Sequence, residues 1–574
     1  MRAPIPPSSP VRRLLAGLLT LALAGCTGAG ILPSTVEEPA TPDPAAAAAE
    51  ALYDPGHVVE IEISMDPDDA ATLSVETNNI FNLLEGADCM EEPWSGPFHW
   101  YPADVTVDGV LVEEVGIRKK GLIGSLSETK PSVKLKFDKY VAGQLLDGLE
   151  RLTLNNSISD PALVRQCLGY QLFAAAGVPA PRCNFAHVTA QGIDLGIYVN
   201  VEPLKKDFLR YAFDGDDEGD LYEGTLSDFR PGWDRTFEVE TSATDPSLAP
   251  ILAVTEALQR TDDADALADL GAVLDRAAFD RFWAMEALVA HIDGYAGNRN
   301  NFYVYRPSDS DRLEFLPWGI DAIFRGPGDA PLTFANSALP NRLWNDPGGR
   351  ARYLDALDAL LDEVWDEDAL LAEIDRMTAL IEPYALDDPR RADETTALRG
   401  FIAQRRGFLE AALAQPLEDL PPPPPGSPCL VEAGSLRVEF ATTWDTLGIE
   451  DPLNEGWSHL TGTYLGDTLD LEGGAVVGLD NGRVVLASLG LQTPSLVREV
   501  VAVVPTWMID GDPIPLGGFG AQAYLIDIDF SSGEGEQQIL GSLWQAWLEF
   551  DALEGVPGAA ASGVIEGPLY YGGP

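Results

Sequence analysis

Residues 291–324 read HIDGYAGNRNNFYVYRPSDSDRLEFLPWGIDAIF, and this stretch decides how the rest of the chain is understood. An apolar run with helical spacing, DRAAFDRFWAMEALVAH (275–291), leads into it. Asp, Asn and Arg crowd positions 293–301, and an alternating strand, NFYVY, follows. After a polar turn comes a second strand, LEFLPW, with Asp321 just beyond it. Polar groups that converge at strand ends beside a helix are where metal and phosphate chemistry commonly sits.

Upstream, the chain supplies strands. VVEIEI (58–63) alternates, and residues 66–75 read as a short acidic helix. DVTVDGVLVEEVGIRKKG (104–121) is a hairpin turning at Asp108-Gly109. PSVKLKFDKY (131–140) puts Val133, Leu135 and Phe137 on one face and Lys134 and Lys136 on the other. RLTLNN (151–156) ends in polar residues. Asp160 and Pro161 then open a helix, ALVRQCLGYQLFAAAG, that stops at Gly177. NFAHVTA and LGIYVNVE form a second hairpin around Gly192 that delivers Glu202. The acidic loop 214–220, DGDDEGD, lacks the glutamate a calcium loop needs, having Thr225 there, and reads as solvated. Amphipathic helices dominate 247–291 and 350–414. Early strands and late helices indicate an α+β domain.

A proline run at 421–425 marks a spacer, placed at 416–428. Beyond it, segments such as LRVEFATTW, RVVLASLG, EVVAVVP and QAYLIDIDF read as short strands between Gly/Asp turns. Residues 429–574 are therefore expected to form a smaller all-β, sandwich-like C-terminal domain.

The chain has 574 residues, more than one typical core accommodates. It carries 91 Asp+Glu against 37 Lys+Arg, a formal charge of −54, which repels nucleic acid and anionic membrane. Within that acidity, six cations between 118 and 136 stand out: Arg118, Lys119, Lys120, Lys130, Lys134 and Lys136. At the N-terminus, Arg12 and Arg13 precede LLAGLLTLALAG and then Cys26, the form of an export signal. Leu23-Ala24-Gly25-Cys26 resembles a bacterial lipoprotein signal, which implies a signal peptide over 1–25, lipidation of Cys26, and anchoring of an exported protein at the cell envelope by that lipid alone. Residues 26–52, rich in Ala, Pro, Thr and Glu, read as a flexible tether. Cys89, Cys167, Cys183 and Cys429 remain, permitting two disulfides in three possible pairings.

His291-Ile292-Asp293, with Asn298 five residues after the aspartate, fits the kinase catalytic-loop pattern H-R-D-x-x-x-x-N, with Ile in place of Arg. Six collinear segments resemble one family in particular, the CotH family of atypical secreted kinases: RKKGLIGS…KPSVKLKFD (118–138), LTLNNSISDPALVRQCLGYQLFAAAGVPAPRCNFAHV (152–188), GIYVNVEPLKKDFL (196–209), GDLYEG (219–224), DGYAGNRNNFYVYR (293–306) and LEFLPWGIDAIF (313–324). The resemblance implies an atypical protein-kinase-like fold over 53–415. It also implies ATP with Mg²⁺ or Mn²⁺ as cofactors, and Ser/Thr hydroxyls of a surface or extracellular protein as acceptors. Asp293 becomes the base that orients the hydroxyl. Asp321 and either Asn298 or Asn301 become metal ligands. Arg118 and one of Lys130, Lys134 and Lys136 become phosphate contacts, and Glu202 lies beside the nucleotide base. Arg165 is open to a carboxylate or a phosphate. The family usually spells W-D-x-D where this chain has Trp318-Gly319-Ile320-Asp321, so one carboxylate is replaced by Gly319. That loss raises a second expectation, a kinase-like surface protein that binds or builds without catalysing.

Overall fold

The computed structural model describes residues 44–572 apart from 95, 123–124, 243–246, 261–262, 327–330, 424–426, 481, 510, 518–519, 532 and 534. The signal segment, Cys26 and the tether up to residue 43 lie outside the described residues.

Strand β1 (Val58–Met65) pairs antiparallel with β2 (Trp100–Val107), and β2 with β3 (Val110–Lys120). Asp108 and Gly109 join the last two with φ of 46° and 83°, the backbone of a tight turn matched to the strand twist. β4 (Ser132–Lys136) and β5 (Arg151–Asn155) continue the sheet, followed by the hairpin β6 (Cys183–Ala190) and β7 (Ile193–Val201). The order β1-β2-β3-β4-β5-β7-β6 closes into a barrel because β6 lies parallel to β1, Val58 opposite Phe185. Alternating apolar residues, among them Val59, Ile61, Val105, Val115, Leu135, Leu152 and Leu154, fill its interior.

The helix Arg165–Ala175 starts three residues later than its apolar pattern suggests. Asp160 reaches it across a turn. Its carboxylate accepts from the Arg165 backbone N–H at 2.9 Å and from the guanidinium at 2.7 Å. A disulfide, Cys167–Cys183, fastens this helix to β6.

A second sheet has the order β11-β10-β8-β9, built from β8 (Asp220–Gly224), β9 (Phe237–Thr241), β10 (Phe302–Arg306) and β11 (Glu314–Pro317). It packs on the helix Arg276–Leu288, whose Phe279, Phe282, Trp283 and Leu288 are buried with Phe302 and Phe315. The helices Pro347–Glu363, Glu367–Ile381 and Arg391–Leu413 complete that core.

Two connecting segments differ from their sequence reading. Residues 44–52, taken as part of a tether, form a helix with Ala49 and Leu52 buried in the barrel core, since an alanine run has the highest helix propensity and one apolar face suffices to dock it. The spacer is also docked. The Trp344 indole N–H donates to the Glu418 carbonyl at 2.9 Å, and the amides of Asn345 and Asn341 donate to the carbonyls of Leu420 (2.9 Å) and Pro421 (2.8 Å). Residues without secondary structure of their own find partners in side chains.

From Val431 onward the described residues are strands, turns and two short 3₁₀ helices (Pro452–Asn454 and Thr506–Met508), with one 11-stranded antiparallel assembly around its own apolar core, including Val438, Leu460, Val500, Leu525 and Ile565. The architecture is thus α+β followed by an all-β C-terminal region.

Candidate functional site

The loop after the helix Arg276–Leu288 is held from beneath. Glu286 is fully buried, and its carboxyl oxygens accept from the backbone N–H groups of Tyr295 (2.8 Å) and Ala296 (2.9 Å). These are the first donors of the short helix Tyr295–Asn298, which no earlier residue can satisfy. A Cβ at Gly294 would lie 2.2 Å from the Glu286 oxygen, so glycine is what lets the carboxyl approach. Burial raises the Glu286 carboxyl to about 8, against the pull of the two N–H bonds.

On top of that turn, Asp293 receives three amides. Asn298 donates to Oδ1 at 2.7 Å, Asn300 to Oδ1 at 3.3 Å, and Asn301 to Oδ2 at 2.7 Å. Burial pushes the Asp293 carboxyl above its ordinary value while the three amides oppose the shift. Arg299 and Asn301 sit at positive φ, 58° and 52°, which turns the loop sharply enough to bring all three amides round. His291 is buried, and burial takes its imidazole down to about 4, so it is a neutral ring in the floor.

Asp321 follows β11 on the short 3₁₀ turn Ile320–Ala322. Burial raises its carboxyl. Its own backbone N–H and Lys120 lower it, and the charges of Asp160 and Asp293 raise it further. Asp293 and Asp321 therefore share one electrostatic neighbourhood. Gly319 has φ +56°, and a Cβ there would meet Asn301 Oδ1 at 2.2 Å. The Asn301 side chain occupies the space that a side chain at 319 needs.

Lys120 is the cation that reaches this centre. Its ammonium donates to Asn155 Oδ1 at 2.5 Å and lies 5.7 Å from the Trp318 ring. Burial lowers it to about 8; Lys134 lowers it too, while Asp321 and Glu223 raise it. Sequence reading placed Lys120 in the basic cluster without a role. Strand alternation puts Lys119 on the opposite face, where its ammonium is consumed by the carbonyls of Ser74 (2.5 Å) and Glu76 (2.6 Å).

Lys134 pairs in register with Arg118 on the same barrel face. Burial lowers its ammonium, which Glu223 and Glu238 raise and Arg118 and Arg151 lower. Across from it the second sheet presents a row, Tyr303–Glu223–Glu238, in strand register. Glu240 lies close enough to Glu223 and Glu238 for their oxygens to fall within 4.8 Å of one another. Lys205 pairs with Glu240, and burial takes its ammonium down to about 7. None of Glu223, Glu238, Lys205 and Tyr303 was singled out from sequence. The one signal was the DLYEG strand, whose alternation puts Glu223 on the face opposite Tyr222.

Two expected contacts are elsewhere. Lys130 donates to the Ile197 carbonyl at 2.7 Å and lies over the Tyr198 ring at 4.9 Å. Its charged neighbours are Arg391, Asp388 and Asp194, not the Asp293 centre. Glu202 is buried and paired with Arg182, whose Nε donates at 2.9 Å, so its carboxylate is already saturated. Arg165 takes the carboxylate alternative, pairing with Asp160 at 2.7 Å and Glu394 at 2.8 Å. In the acidic loop, Asp217 pairs with Arg210 and Asp220 with Arg306, so those groups are spent on structure.

The sequence model of the family described as "CotH kinase protein" matches residues 117–409. The chain is 22% identical to the inner spore coat protein H of Bacillus subtilis (strain 168) over 297 residues, 46% of this chain and 79% of that protein. It is 25% identical to the inner spore coat protein H-like protein of the same organism over 329 residues, 54% and 94% of the two. Among solved structures, the Helicobacter pylori proinflammatory kinase CtkA overlaps at 10% identity with a TM-score of 0.27, covering 49% of this chain and 94% of that one. The HipA–HipB–operator complex of Shewanella oneidensis MR-1 overlaps at 11% identity with a TM-score of 0.24, covering 52% and 68%. Both overlaps are loose. The family match spans half the sequence and encloses Arg118, Lys120, Lys134, Asp293, Asn298, Asn301 and Asp321: the chain belongs to the CotH kinase protein family.

Proposed function

We propose that this protein is an exported, lipid-anchored kinase that transfers the γ-phosphate of ATP to Ser or Thr hydroxyls of a surface or extracellular protein. The observation that carries the reading is the shared centre of Asp293, Asp321 and Lys120. Two carboxylates that desolvation raises, Asp321 raised further by the charge of Asp293, with the Lys120 ammonium beside Asp321, suit a centre that meets a divalent cation and phosphate oxygens.

The residues fit Mg²⁺ or Mn²⁺ by donor chemistry: Asp321 would supply a carboxylate and Asn298 an amide oxygen, both hard ligands. Asn301 is the poorer ligand, because its oxygen is packed against Gly319 while its N–H₂ holds Asp293. When bound, the metal would offset charge on the phosphoryl oxygens. The chain's own groups do the rest. Asp293, fixed by three amides, orients the acceptor hydroxyl and takes its proton as the hydroxyl oxygen bonds to the γ-phosphorus and the bond to the β-phosphate oxygen breaks. Lys120, with Lys134 and Arg118 behind it, neutralises the phosphate chain.

Export and anchoring rest on the Leu23-Ala24-Gly25-Cys26 segment, and the two disulfides suit an oxidising compartment. A second reading, a kinase-like protein that binds without catalysing, draws on Gly319, where a family carboxylate is replaced. Thermal unfolding with ATP and Mg²⁺ or Mn²⁺ tests the site. Metal-dependent stabilisation by ATP is expected, and its absence with either metal contradicts the nucleotide site. Fractionation of a Cys26→Ser variant tests the anchor; unchanged membrane association counts against it.

A further inference from the structure

Among the described residues the Lys120 ammonium has no ion-pair partner, and its hydrogen bond goes to Asn155 Oδ1, at the end of β5, 2.5 Å away. A lysine ammonium can only donate, so Asn155 must present its oxygen, and its N–H₂ then needs an acceptor elsewhere. Gln166 supplies one: Asn155 Nδ2 donates to Gln166 Oε1 at 2.9 Å. The two bonds together fix which way the Asn155 amide faces. Gln166 is 2% exposed and lies in the first turn of the helix Arg165–Ala175. That helix is held at three points. Asp160 and Glu394 grip Arg165, the neighbour of Gln166. The Cys167–Cys183 disulfide ties the next residue to β6. Gly169 lies against the turn that carries Asp321, where a Cβ would run into the side chains of Ile320 and Ile323. One fixed helix thus supports the cation through Gln166 and abuts the carboxylate turn through Gly169. Asn156 holds the other side: its amide donates to the carbonyls of Ser125 (2.9 Å) and Lys130 (2.8 Å), in the loop that leaves β3 after Lys120.

We propose that Asn155 and Gln166 are positioning residues for Lys120, a neutral amide relay that aims its ammonium at the phosphates of ATP; the proposal rests on the kinase reading. Protein kinases hold their phosphate-binding lysine by an ion pair with a helix glutamate. Here the helix side chain is an amide, and it reaches the lysine through a second amide. A carboxylate would offset the ammonium's charge, whereas neutral acceptors hold the group and leave that charge to the phosphates. Such a network rigidifies only when every member is satisfied. Without the Gln166 oxygen the Asn155 N–H₂ loses its acceptor, and the amide is free to turn its N–H₂ toward the ammonium.

The test measures ATP affinity with Mg²⁺ by titration calorimetry on the disulfide-intact full-length protein, beside labelled transfer to casein. Gln166→Met keeps a long unbranched side chain and removes the acceptor. The expected result is an ATP affinity weakened by about tenfold or more. Added to Lys120→Ala, the same substitution should cost nothing further, because the relay acts only through that ammonium. A glutamine that merely supports the fold would weaken binding equally in both backgrounds. If Gln166→Met fails to fold, Asn155→Leu cuts the relay one residue nearer Lys120 and is read in the same cycle. Unchanged affinity, or an equal loss in both backgrounds, where the wild type binds ATP and labels casein, overturns the relay and leaves the kinase reading standing. A wild type that neither binds ATP nor labels casein overturns the kinase reading and the relay with it.

Discussion

Asp293 is the residue on which the functional reading turns, because three amides leave its carboxylate one orientation. Asp293→Ala should lower phosphoryl transfer by about 10²–10⁴-fold and leave ATP binding, measured by titration calorimetry, within a few-fold of wild type. The pH profile of kcat/KM should have two limbs. Asp293 acts deprotonated and burial raises its pKa, so activity falls as pH drops through that raised value, sooner than for an ordinary aspartate. Lys120 acts protonated and burial lowers it to about 8, so activity also falls as pH rises through about 8. Lys120→Arg should move the alkaline limb upward, and an unmoved limb would remove Lys120 from the site. Gly319 makes a separate prediction. Gly319→Ala puts a Cβ at positive φ against Asn301 and should cost about 1–3 kcal/mol, less in an Asn301→Ala background, as a double-mutant cycle in denaturant would read.

At the scale of elements, the turn under Asp293 depends on Glu286. Glu286→Ala leaves the N–H groups of Tyr295 and Ala296 without an acceptor, and at about 1–3 kcal/mol per buried donor should lower unfolding free energy by about 2–6 kcal/mol. Its pKa is raised to about 8 by burial. The stability it contributes is therefore present below the unfolded carboxyl value and lost as pH rises through about 8. Glu286→Gln should flatten that part of the stability–pH curve, and an unchanged slope would assign it to other groups. Local elements were legible where one chemistry decides them. Asp108-Gly109 announces its hairpin, Gly192 the next, and 301–305 and 313–318 their strands. Barrel closure was not legible, since the parallel pairing of β1 with β6 joins Val58 to Phe185 across more than a hundred residues. Lys120 was half legible. Alternation separates it and Arg118 from Lys119, but nothing local says which face meets the second sheet. Lys130 and Glu202 misled for the same reason: their partners, Ile197 and Arg182, are supplied by the fold.

The whole molecule is bolted together at a place the sequence left open. Four cysteines allowed three pairings, and the Cys89–Cys429 bond spans 340 positions. Around it, Leu430 exchanges backbone hydrogen bonds with Leu84 (2.6 Å) and Gly86 (3.0 Å), and the Phe81 and Tyr570 rings meet at 5.1 Å. The all-β region is thereby fixed to the 84–89 segment. Cys89→Ser with Cys429→Ser should cost about 2–4 kcal/mol and open the 86–94 segment to limited proteolysis; a cleavage pattern like that of wild type would show the apolar contacts suffice. The central claim is that Asp293 and Asp321 serve phosphoryl transfer. Incubation of the purified protein with γ-labelled ATP, Mg²⁺ or Mn²⁺ and casein, beside Asp293→Ala and Asp321→Ala, tests it most directly. The account predicts label on casein or on the protein itself with wild type alone. No label with wild type, or equal label with either variant, would contradict it.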